Sequence, residues 1–410
     1  MKFLFTAPRF HTNQVSIVQG LTEKGHQVRY FVVFKGKVED YSFCQPLVLK
    51  PSESFQKKWK RYKKKYTDSE VESIAGGQFV PDYNELKKAF LDYDPDVVIC
   101  RERTNLTACV YKLCAENNIP CVLYDQEPYL KQKTADKKIR PGKEKNLFGR
   151  LMLKINRLLD KDFQFIKNIK ETIGFPNVRM TPVMVSDASA DTDKCVPAEN
   201  SYFIPLVSKI NNISDRTYSE NGTVRLLCVS KYREYKNLPL LIDAINLIKE
   251  RNDFKLTVLG QAKSKDEIEY KNNLQNKINA YGLENKVTLA ENVPYSKMND
   301  VYLNHDVFLL VSKRETYGMA VVEAMSFGLP CIMSYNAGIA YSVKMSNGII
   351  IDYNNANDIS EAILYYLSNK KLLENFGKLS YEYIKKNQLF ENYYSEIKKM
   401  LSIEFDLNLE

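Results

Sequence analysis

The sequence predicts an α/β protein built from two Rossmann-like domains, each with a largely parallel sheet. The chain has 410 residues, which exceeds what a single hydrophobic core usually supports. Short β-type apolar runs alternate with helical patterns along the whole chain, as expected for α/β units around a parallel sheet. This alternation occurs in two successive series, and a polar stretch without periodicity separates them.

The N-terminal series predicts one helix and five strands. The helix runs from about Gln14 to Lys24, where Gly25 ends it. Apolar β-type runs predict strands at 2–6, 27–34, 96–100, 121–124 and 179–185. We assign residues 1–206 to this domain.

The C-terminal series predicts six strands with helices between them, and we assign residues 223–387 to this domain. Its first helix, 238–250, carries one apolar stripe formed by Leu240, Leu241, Ala244, Ile245 and Ile248. The strands are predicted at 224–230, 254–260, 286–291, 307–312, 330–335 and 348–353. The polar stretch 207–222 is predicted to be a linker. Two such domains predict a ligand cleft lined by the loops that follow the strands.

Charge, cysteine and histidine content narrow the class of protein. The formal net charge is +9, and the basic residues concentrate at 57–65 and 131–170, where they would attract phosphate-rich partners. The eight cysteines fall largely in apolar runs without zinc spacing, which indicates reduced core thiols of a cytosolic protein. Only three histidines are present, and this argues against a multi-histidine metal centre.

Targeting signals are absent from the pattern of apolar residues. The run from Met1 to Phe5 is interrupted by Pro8, Arg9 and His11 and is too short for a secretion signal. No stretch approaches the roughly 20 apolar residues that cross a bilayer. We therefore expect a cytoplasmic protein that is soluble or lies on the inner face of the plasma membrane.

Two glutamates and a glycine follow the fourth strand of the C-terminal series. Gly318 stands where strand, turn and helix meet, so a phosphate could approach the bare backbone amides of the helix start. Glu323 is the only charged residue of that helix, and a ribose diol is one partner for its carboxylate. Glu315 would point towards the sugar. The alternative is that Glu323 pairs with a nearby lysine and Glu315 is a solvated loop acid.

Two lysines follow the first strand of the same domain. Lys231 and Lys236 bracket the loop after residue 230. A sugar nucleotide carries two phosphates, and its leaving diphosphate gains charge as the glycosidic bond breaks, so cations here would stabilise the transition state in place of a divalent metal. The alternative is an ordinary charged surface loop.

Together these residues resemble the retaining glycosyltransferases of family 4. The family's G-R-x-x-x-x-K-G/N element is matched by 230–237, and its E-x7-E element by 315–323, which continues into E-A-M-x-x-G-x-P. The resemblance implies the GT-B architecture, in which the parallel sheets of two Rossmann-like domains face each other across a cleft. It also implies that 388–410 is a C-terminal helix that crosses back to the first domain.

The resemblance implies roles for residues of the C-terminal domain. Lys231 and Lys236 would hold the donor diphosphate, and Glu323 would hold the ribose. Glu315 would contact the transferred sugar. The remaining donor-site residues would be Gly318 and Met319 through their amides, Val293 near the base, and Tyr317.

The sequence departs from the family in several places. Lys231 replaces the usual arginine, which keeps the charge and loses the bidentate fork. The Gly-Gly pair reads Ala337-Gly338, and the glutamate that usually follows has no clear equivalent near Tyr341. In the N-terminal domain the glycine-rich first loop and the histidine after the fourth strand are missing. We predict the acceptor-side residues Arg9, His11, Asn13, Arg101, Arg103, Asp125 and Gln126, and the alternative is ordinary surface arginines.

Basic helical patterns suggest a membrane contact. Apolar residues of 147–169 fall on one helical stripe opposed by lysines and arginines, which is a pattern that can bind anionic membrane surfaces. The alternative is that the stripe packs on the domain's own core. Residues 57–65 are a second candidate contact.

The predicted function is retaining transfer of a sugar from a UDP- or GDP-sugar to a glycan or lipid-linked acceptor in bacterial surface polysaccharide synthesis. No metal and no other cofactor is expected. Two alternatives remain: an inverting transferase or sugar-nucleotide epimerase of the same architecture, and a basic nucleic-acid-binding module with a vestigial nucleotide site. The absence of a recognisable nucleic-acid-binding motif argues against the second, and we expect no nucleic-acid partner.

Overall fold

The computed structural model describes residues 1–35, 41–65, 76–125, 160–182, 200–291, 293–294 and 297–409. It divides into two units, of which the N-terminal unit comprises 1–204 and 393–410 and the C-terminal unit comprises 205–392. The predicted borders at 206 and 388 lie near these divisions. Each unit contains one wholly parallel sheet, which confirms the predicted fold class. The placement of two sheets across a cleft stays a prediction.

The N-terminal unit contains a seven-stranded sheet in the order β3-β2-β1-β4-β5-β6-β7. Its strands are β1 (Lys2–Ala7), β2 (Gln27–Val32), β3 (Leu47–Val48), β4 (Val97–Arg101), β5 (Cys121–Tyr124), β6 (Arg179–Thr181) and β7 (Ser201–Phe203). The five predicted strands are present, and 121–124 has the predicted bounds. The short strands β3 and β7 were missed because two or three residues are too few to show a period. The predicted continuation of β6 to 185 extends beyond the described residues.

Five helices connect the strands of this unit in its described parts: α1 (Val15–Glu23), α2 (Glu53–Lys65), α3 (Tyr83–Tyr93), α4 (Asn105–Asn117) and α5 (Lys161–Thr172). Asp82 caps α3 and Thr104 caps α4, because each side chain accepts a backbone N–H of the first turn. Leucine, phenylalanine and cysteine side chains of α3 and α4 enter a core that includes Leu4 and Phe31 of the sheet. The seven described cysteines are buried and free of disulfides.

The C-terminal segment completes the N-terminal unit. Helix α12 (Phe390–Phe405) extends into this unit from residue 393 onward. Tyr394 lies 2.8 Å from His26 Nε2, and Tyr202 donates a hydrogen bond of 2.5 Å to Glu404. Tyr393 and Leu409 are each 1% exposed. Tyr393 and Leu409 are therefore buried within the N-terminal unit.

The C-terminal unit contains a six-stranded sheet in the order β10-β9-β8-β11-β12-β13. Its strands are β8 (Val224–Val229), β9 (Phe254–Gly260), β10 (Val287–Glu291), β11 (Val307–Leu310), β12 (Cys331–Ser334) and β13 (Gly348–Ile351). All six predicted strands are confirmed, and 254–260 has the predicted bounds. Each of these strands, apart from β9 and β10, is a nearly continuous apolar run, as expected for a sheet covered on both faces.

Helices cover the C-terminal sheet. They are α6 (Leu238–Leu247), α7 (Lys265–Ala280), α8 (Met298–Leu303), α9 (Met319–Ser326), α10 (Ala356–Ser368) and α11 (Lys371–Asn387). The predicted helix 238–250 ends three residues early, but its stripe is correct, because Leu241, Ala244 and Ile245 are fully buried. Ser264 and Glu267 form a capping box at the start of α7.

The predicted linker packs against the C-terminal unit. Arg216 donates hydrogen bonds to the carbonyl oxygens of Tyr302 (3.1 Å) and His305, and Tyr218 donates one of 2.6 Å to Gly328. Asn211 donates one of 2.9 Å to the Ser326 hydroxyl. The segment 207–222 therefore lies within the C-terminal unit, and its role as a linker stays a prediction. Its polar, aperiodic composition combines such bonds with exposed residues, among them 212, 214, 215, 217 and 220–222.

Candidate active site

The loop after β8 is anchored to the sheet by a tyrosine. Tyr232 is fully buried, and its hydroxyl lies 3.1 Å from the carbonyl oxygen of Val258 and 3.0 Å from that of Ala290. Gly260 makes room for this ring, because a Cβ there would lie 2.9 Å from the ring and 2.2 Å from the Ser230 carbonyl oxygen. With Tyr232 held below, the neighbouring Lys231 side chain is exposed at the surface of the loop.

The far side of the same loop is fixed by an ion pair. Arg233 Nε donates a hydrogen bond of 2.7 Å to Glu267. Glu267 also accepts the backbone amides of Lys263 (3.0 Å) and Ser264 (3.2 Å). Burial raises the pKa of the Glu267 carboxyl, but these hydrogen bonds outweigh burial and lower its pKa to about 2.

Lys236 and Glu315 form an ion pair at the carboxyl edge of the C-terminal sheet. Lys236 follows β8, Glu315 follows β11, and the ammonium donates a hydrogen bond to the carboxylate. The two side chains are only 11% and 18% exposed. The backbone amide of Lys313 donates to the Tyr235 carbonyl oxygen at 2.9 Å, which also joins the two loops. The structure therefore brings together two of the three residues predicted to be catalytic, and it places Lys231 in the same loop.

The loop that carries Glu315 is pressed against the loop after β12. Glu315 and Ala337 form a parallel β-bridge, and the amide of Ile339 donates to the Tyr317 carbonyl oxygen at 2.9 Å. Gly338 lies so close that a Cβ would approach the Thr316 carbonyl oxygen to 2.3 Å. Only glycine fits here without a backbone shift, so the single glycine left from the family's pair has a steric reason.

Gly318 begins helix α9 with a left-handed backbone, at φ 105°. The first-turn amides of a helix, here starting at Met319, have no partner within the helix and carry its positive dipole end. These amides are next to the loop that holds Glu315. This edge of the sheet therefore combines a lysine, a carboxylate and a helix N-terminus, which is a combination suited to an anionic ligand.

Glu323 lies one turn into α9 and is bound by a tyrosine. Tyr302 is 1% exposed, donates a hydrogen bond of 2.7 Å to Glu323 Oε2, and stacks on Phe327 with ring centroids 5.3 Å apart. Burial raises the pKa of the Glu323 carboxyl, and the bond from Tyr302 only partly opposes this. The recorded partner is thus a tyrosine and not the lysine of the alternative interpretation. Sequence reasoning missed Tyr302, which precedes Glu323 by 21 positions on another helix.

Two further donor-site predictions fall on side chains with different surroundings. Tyr317 is 3% exposed, and its hydroxyl lies 3.1 Å from that of Tyr341 and 3.0 Å from Gln388 Oε1. Its side chain is therefore bonded inside the unit, and a direct contact with a donor stays a prediction. Val293 is half-buried beyond β10, and its place near a nucleotide base also stays a prediction.

The predicted acceptor-side residues follow three adjacent strands of the N-terminal sheet. Arg9, His11 and Asn13 follow β1, Arg101 ends β4 and Arg103 follows it, and Asp125 follows β5. The carboxyl ends of β1, β4 and β5 meet at one edge of the sheet, because these three parallel strands are neighbours in it. Gln126 lies outside the described residues. The acceptor role of this group stays a prediction.

The contacts of the acceptor-side group are largely internal to the unit. Arg101 Nε lies 3.4 Å from Glu102, and the Arg103 guanidinium lies 5.8 Å from the centre of the Phe175 ring. Asp125 is 4% exposed. Glu102 has a left-handed backbone at φ 61°, a strained conformation that clusters at functional sites. No pattern in the sequence predicted that strain.

The basic segments divide into a core-facing side and an exposed side. In α2, Phe55 and Trp59 belong to the N-terminal core, whereas Lys57, Lys60, Arg61, Lys63 and Lys64 are exposed. The predicted helix 147–169 is described only from residue 160, where Ile166 and Ile169 of α5 enter the same core. This part of the stripe matches the core-facing alternative.

The described residues offer neither a cluster of metal ligands nor a membrane-spanning helix. They contain no group of three or more histidine, cysteine, aspartate or glutamate side chains placed to hold a metal ion. Among the same residues, no helix is both long enough and apolar enough to cross a bilayer. Whether the reaction needs a metal stays a prediction.

Residues 210–383 match the family model for glycosyl transferases group 1. Mannosylfructose-phosphate synthase of Agrobacterium fabrum is 24% identical over 186 residues, which are 44% of this chain and 40% of that protein. The amylovoran biosynthesis glycosyltransferase AmsD of Erwinia amylovora is 24% identical over 159 residues, which are 38% of this chain and 42% of that protein. The match thus spans less than half the length of these relatives.

The similarity in fold extends over both units. The crystal structure of Anabaena HepE in complex with UDP and glucose matches with a TM-score of 0.66 at 13% identity, and it covers 98% of this chain and all of that one. At this identity the match concerns the fold alone. Residues 210–383 therefore match the model of the glycosyl transferases group 1, in a chain that shares the two-unit α/β fold of GT-B glycosyltransferases.

Proposed function

We propose that the chain is a retaining, metal-independent glycosyltransferase that binds a nucleotide-sugar donor at the carboxyl edge of the C-terminal sheet. The observation that carries this proposal is the Lys236–Glu315 ion pair beside the Gly318 helix start. The family match of residues 210–383 supports it, and the UDP bound by Anabaena HepE makes a uridine diphosphate sugar the first donor to test.

Lys236 is proposed to stabilise the leaving diphosphate. Its ammonium is paired with Glu315, which fixes its position at the edge of the sheet. A diphosphate at the start of α9 would receive hydrogen bonds from the Gly318 and Met319 amides and charge from Lys236. Lys231, exposed on the same loop, would supply the second cation. Two cations and a helix dipole are the features that can replace a divalent metal in this role.

Glu315 and Glu323 are proposed to bind the two sugars of the donor. Tyr302 occupies Oε2 of Glu323, and we assign Oε1 to the hydroxyls of the ribose. Glu315, whose loop contacts the loop of Lys236 and the loop of Gly338, would contact the transferred sugar. Tyr302 would keep the Glu323 carboxyl turned towards the nucleotide, because a donated hydrogen bond fixes the rotamer of the acceptor.

The acceptor is proposed to be a glycan or a lipid-linked sugar of a bacterial surface polysaccharide. The similarity to an amylovoran biosynthesis glycosyltransferase supports this class. The exposed lysines and arginine of α2 would hold the protein on the inner face of the plasma membrane through anionic lipids. Flotation with phosphatidylglycerol vesicles tests this step: reversing Lys57, Lys60 and Lys64 to Glu should abolish binding, and undiminished binding would exclude α2 as the contact.

A thermal-shift screen of UDP, GDP, ADP and CMP sugars tests donor binding, because a bound donor stabilises the folded state by mass action. We expect one nucleotide class to raise the Tm of the wild-type protein. Lys236→Ala and Glu323→Ala should remove that rise. Lys378→Ala is the matched control, because it breaks a Lys–Glu pair that is 66% and 62% exposed in the same unit. A rise retained in the two site variants contradicts the proposal.

The stereochemistry of the product separates the remaining possibilities. Proton NMR of the newly formed glycosidic linkage distinguishes retention from inversion at the anomeric carbon. Retention supports the proposed mechanism, and inversion excludes it while leaving transfer intact. Conversion of the nucleotide sugar itself, without an acceptor, would identify an epimerase instead.

A further inference from the structure

Three polar side chains form a hydrogen-bonded ring beneath the candidate donor loop. The Tyr317 hydroxyl lies 3.0 Å from Gln388 Oε1 and 3.1 Å from the Tyr341 hydroxyl, and Gln388 Nε2 lies 3.3 Å from the Tyr341 hydroxyl. Tyr317 is 3% exposed and Gln388 1% exposed. Two of the three groups are thus removed from water.

The distances allow one closed arrangement of protons for this amide orientation. Tyr317 donates to the Gln388 carbonyl oxygen, so the Tyr341 hydroxyl donates to Tyr317. The Gln388 amide then donates to Tyr341, and each hydroxyl donates once and accepts once. A closed ring of this kind has directional requirements that an apolar contact lacks, because each bond weakens steeply away from its preferred angle.

The ring connects the two loops that form the donor edge. Tyr317 lies between Glu315 and Gly318, and its carbonyl oxygen accepts the Ile339 amide at 2.9 Å. Tyr341 lies in the short turn 340–342 that follows Gly338. The main chains of the two loops are joined on the sheet side by the Glu315–Ala337 bridge. The ring joins the same loops through their side chains.

Gln388 also joins the two segments where the chain enters and leaves the C-terminal unit, because it belongs to the exit segment and contacts the entry segment. Its carbonyl oxygen accepts the Ser208 amide at 2.8 Å. Ser208 follows the entry of the chain at 205, and Gln388 precedes its exit at 392. One residue therefore holds both connecting segments through its backbone and the donor loop through its side chain.

We propose that Gln388 and Tyr341 are positioning residues for the donor site. By fixing the Tyr317 side chain, they hold the Gly318 helix start in the arrangement proposed to bind the diphosphate, and Glu315 in the position proposed to contact the transferred sugar. Gln388 and Tyr341 act through Tyr317 and are not assigned a contact with the donor. The effect of the ring on donor binding rests on the proposed function. Its effect on the rigidity of the loop does not.

The test compares Tyr341→Phe and Gln388→Leu with Tyr366→Phe. The first two variants each break two of the three bonds with little change in volume. Tyr366 is a suitable control because it is fully buried in the same unit and its hydroxyl has no hydrogen-bond partner among the described residues. We expect Tyr366→Phe to be nearly neutral.

The first readout is amide hydrogen exchange of the unliganded proteins. Peptides covering 313–319 should exchange at least about threefold faster in Tyr341→Phe and Gln388→Leu, because local opening becomes easier. The second readout is calorimetric titration with UDP and with GDP, where the Kd should rise about five- to tenfold in the same variants. With a donor in hand, KM for the donor should rise more than kcat falls.

The outcomes separate the inference from the function on which it rests. Exchange in 313–319 equal to that of Tyr366→Phe overturns the inference, and so does faster exchange with unchanged nucleotide affinity. Failure of the UDP, GDP, ADP and CMP sugars alike to bind the wild-type protein overturns the proposed function and the donor role of the ring together. In that case the exchange data still decide whether the ring holds the loop.

Discussion

The ion pair between Lys236 and Glu315 predicts a measurable coupling free energy. Lys236→Met and Glu315→Gln each remove one charge, and the double variant removes both. At roughly 4 Å and an effective dielectric constant near 20, the attraction is about 4 kcal/mol. Desolvation and the remaining 11% and 18% exposure of the side chains reduce it, so we expect a net coupling of about 2 kcal/mol.

A double-mutant cycle measures this coupling. Denaturant unfolding of the four proteins gives the free energies, with the transition of the C-terminal unit as the monitored signal. The reference cycle uses Lys378 and Glu374, an exposed pair 2.8 Å apart for which we expect a coupling below about 0.5 kcal/mol. Equal couplings for the two pairs would refute the claim that the Lys236–Glu315 pair is preformed and shielded.

The same variants predict opposite changes in nucleotide affinity. Glu315→Gln removes an anion from beside the proposed diphosphate site, so UDP or GDP should bind about threefold more tightly while transfer falls. Lys236→Met should weaken the same nucleotide at least about tenfold. Calorimetric titration at low salt measures both. A parallel loss of affinity in the two variants would mean that Glu315 does not oppose the diphosphate.

Three further predictions concern the scaffold of the site. Gly338→Ala places a methyl group 2.3 Å from the Thr316 carbonyl oxygen, so we expect about 1–3 kcal/mol of destabilisation and weaker nucleotide binding. Thermal shift with and without nucleotide measures both effects, and an unchanged Tm would contradict the contact. Asp306→Asn removes the buried carboxylate that Arg225 holds at 2.8 Å, while Arg225, 23% exposed, keeps Glu220 at 3.4 Å. We expect a loss of about 1–3 kcal/mol in denaturant unfolding, and an unchanged free energy of unfolding would be inconsistent with the buried carboxylate. The lowered pKa of Glu267, about 2, contributes stability that is present above the unfolded pKa near 4.5 and is lost as pH falls towards 2. Between those pH values the Glu267→Gln variant should therefore lose about 1–2 kcal/mol less free energy of unfolding than the wild-type protein. Identical pH profiles of the two proteins would exclude this role.

The fold of the C-terminal unit could be predicted because local signals and tertiary burial agree there. Apart from β9 and β10, its strands are runs of four to six residues with at most one polar member, and the helix stripe 240–248 has a clear helical period. The same reasoning missed β3 and β7, which are held by pairing to neighbours rather than by their own pattern. Segment 207–222 was predicted as a linker from its polar composition, which does not reveal which polar groups find partners.

The candidate site was predictable where residues follow strands and less so where partners come from distant elements. The positions of Lys236, Glu315 and Gly318 after neighbouring strands indicated a shared edge. Their direct pairing, and the Tyr302 partner of Glu323, depend on how helices and loops pack. Gln388 lies 71 positions from Tyr317, and no local pattern links them.

A co-crystal structure with the nucleotide diphosphate selected by the thermal-shift screen tests the central claim most directly. We expect diphosphate oxygens within about 3 Å of Lys236 Nζ and of the Gly318 or Met319 amide, with a ribose hydroxyl on Glu323. A nucleotide bound elsewhere in the protein, with these residues untouched, would contradict the assignment.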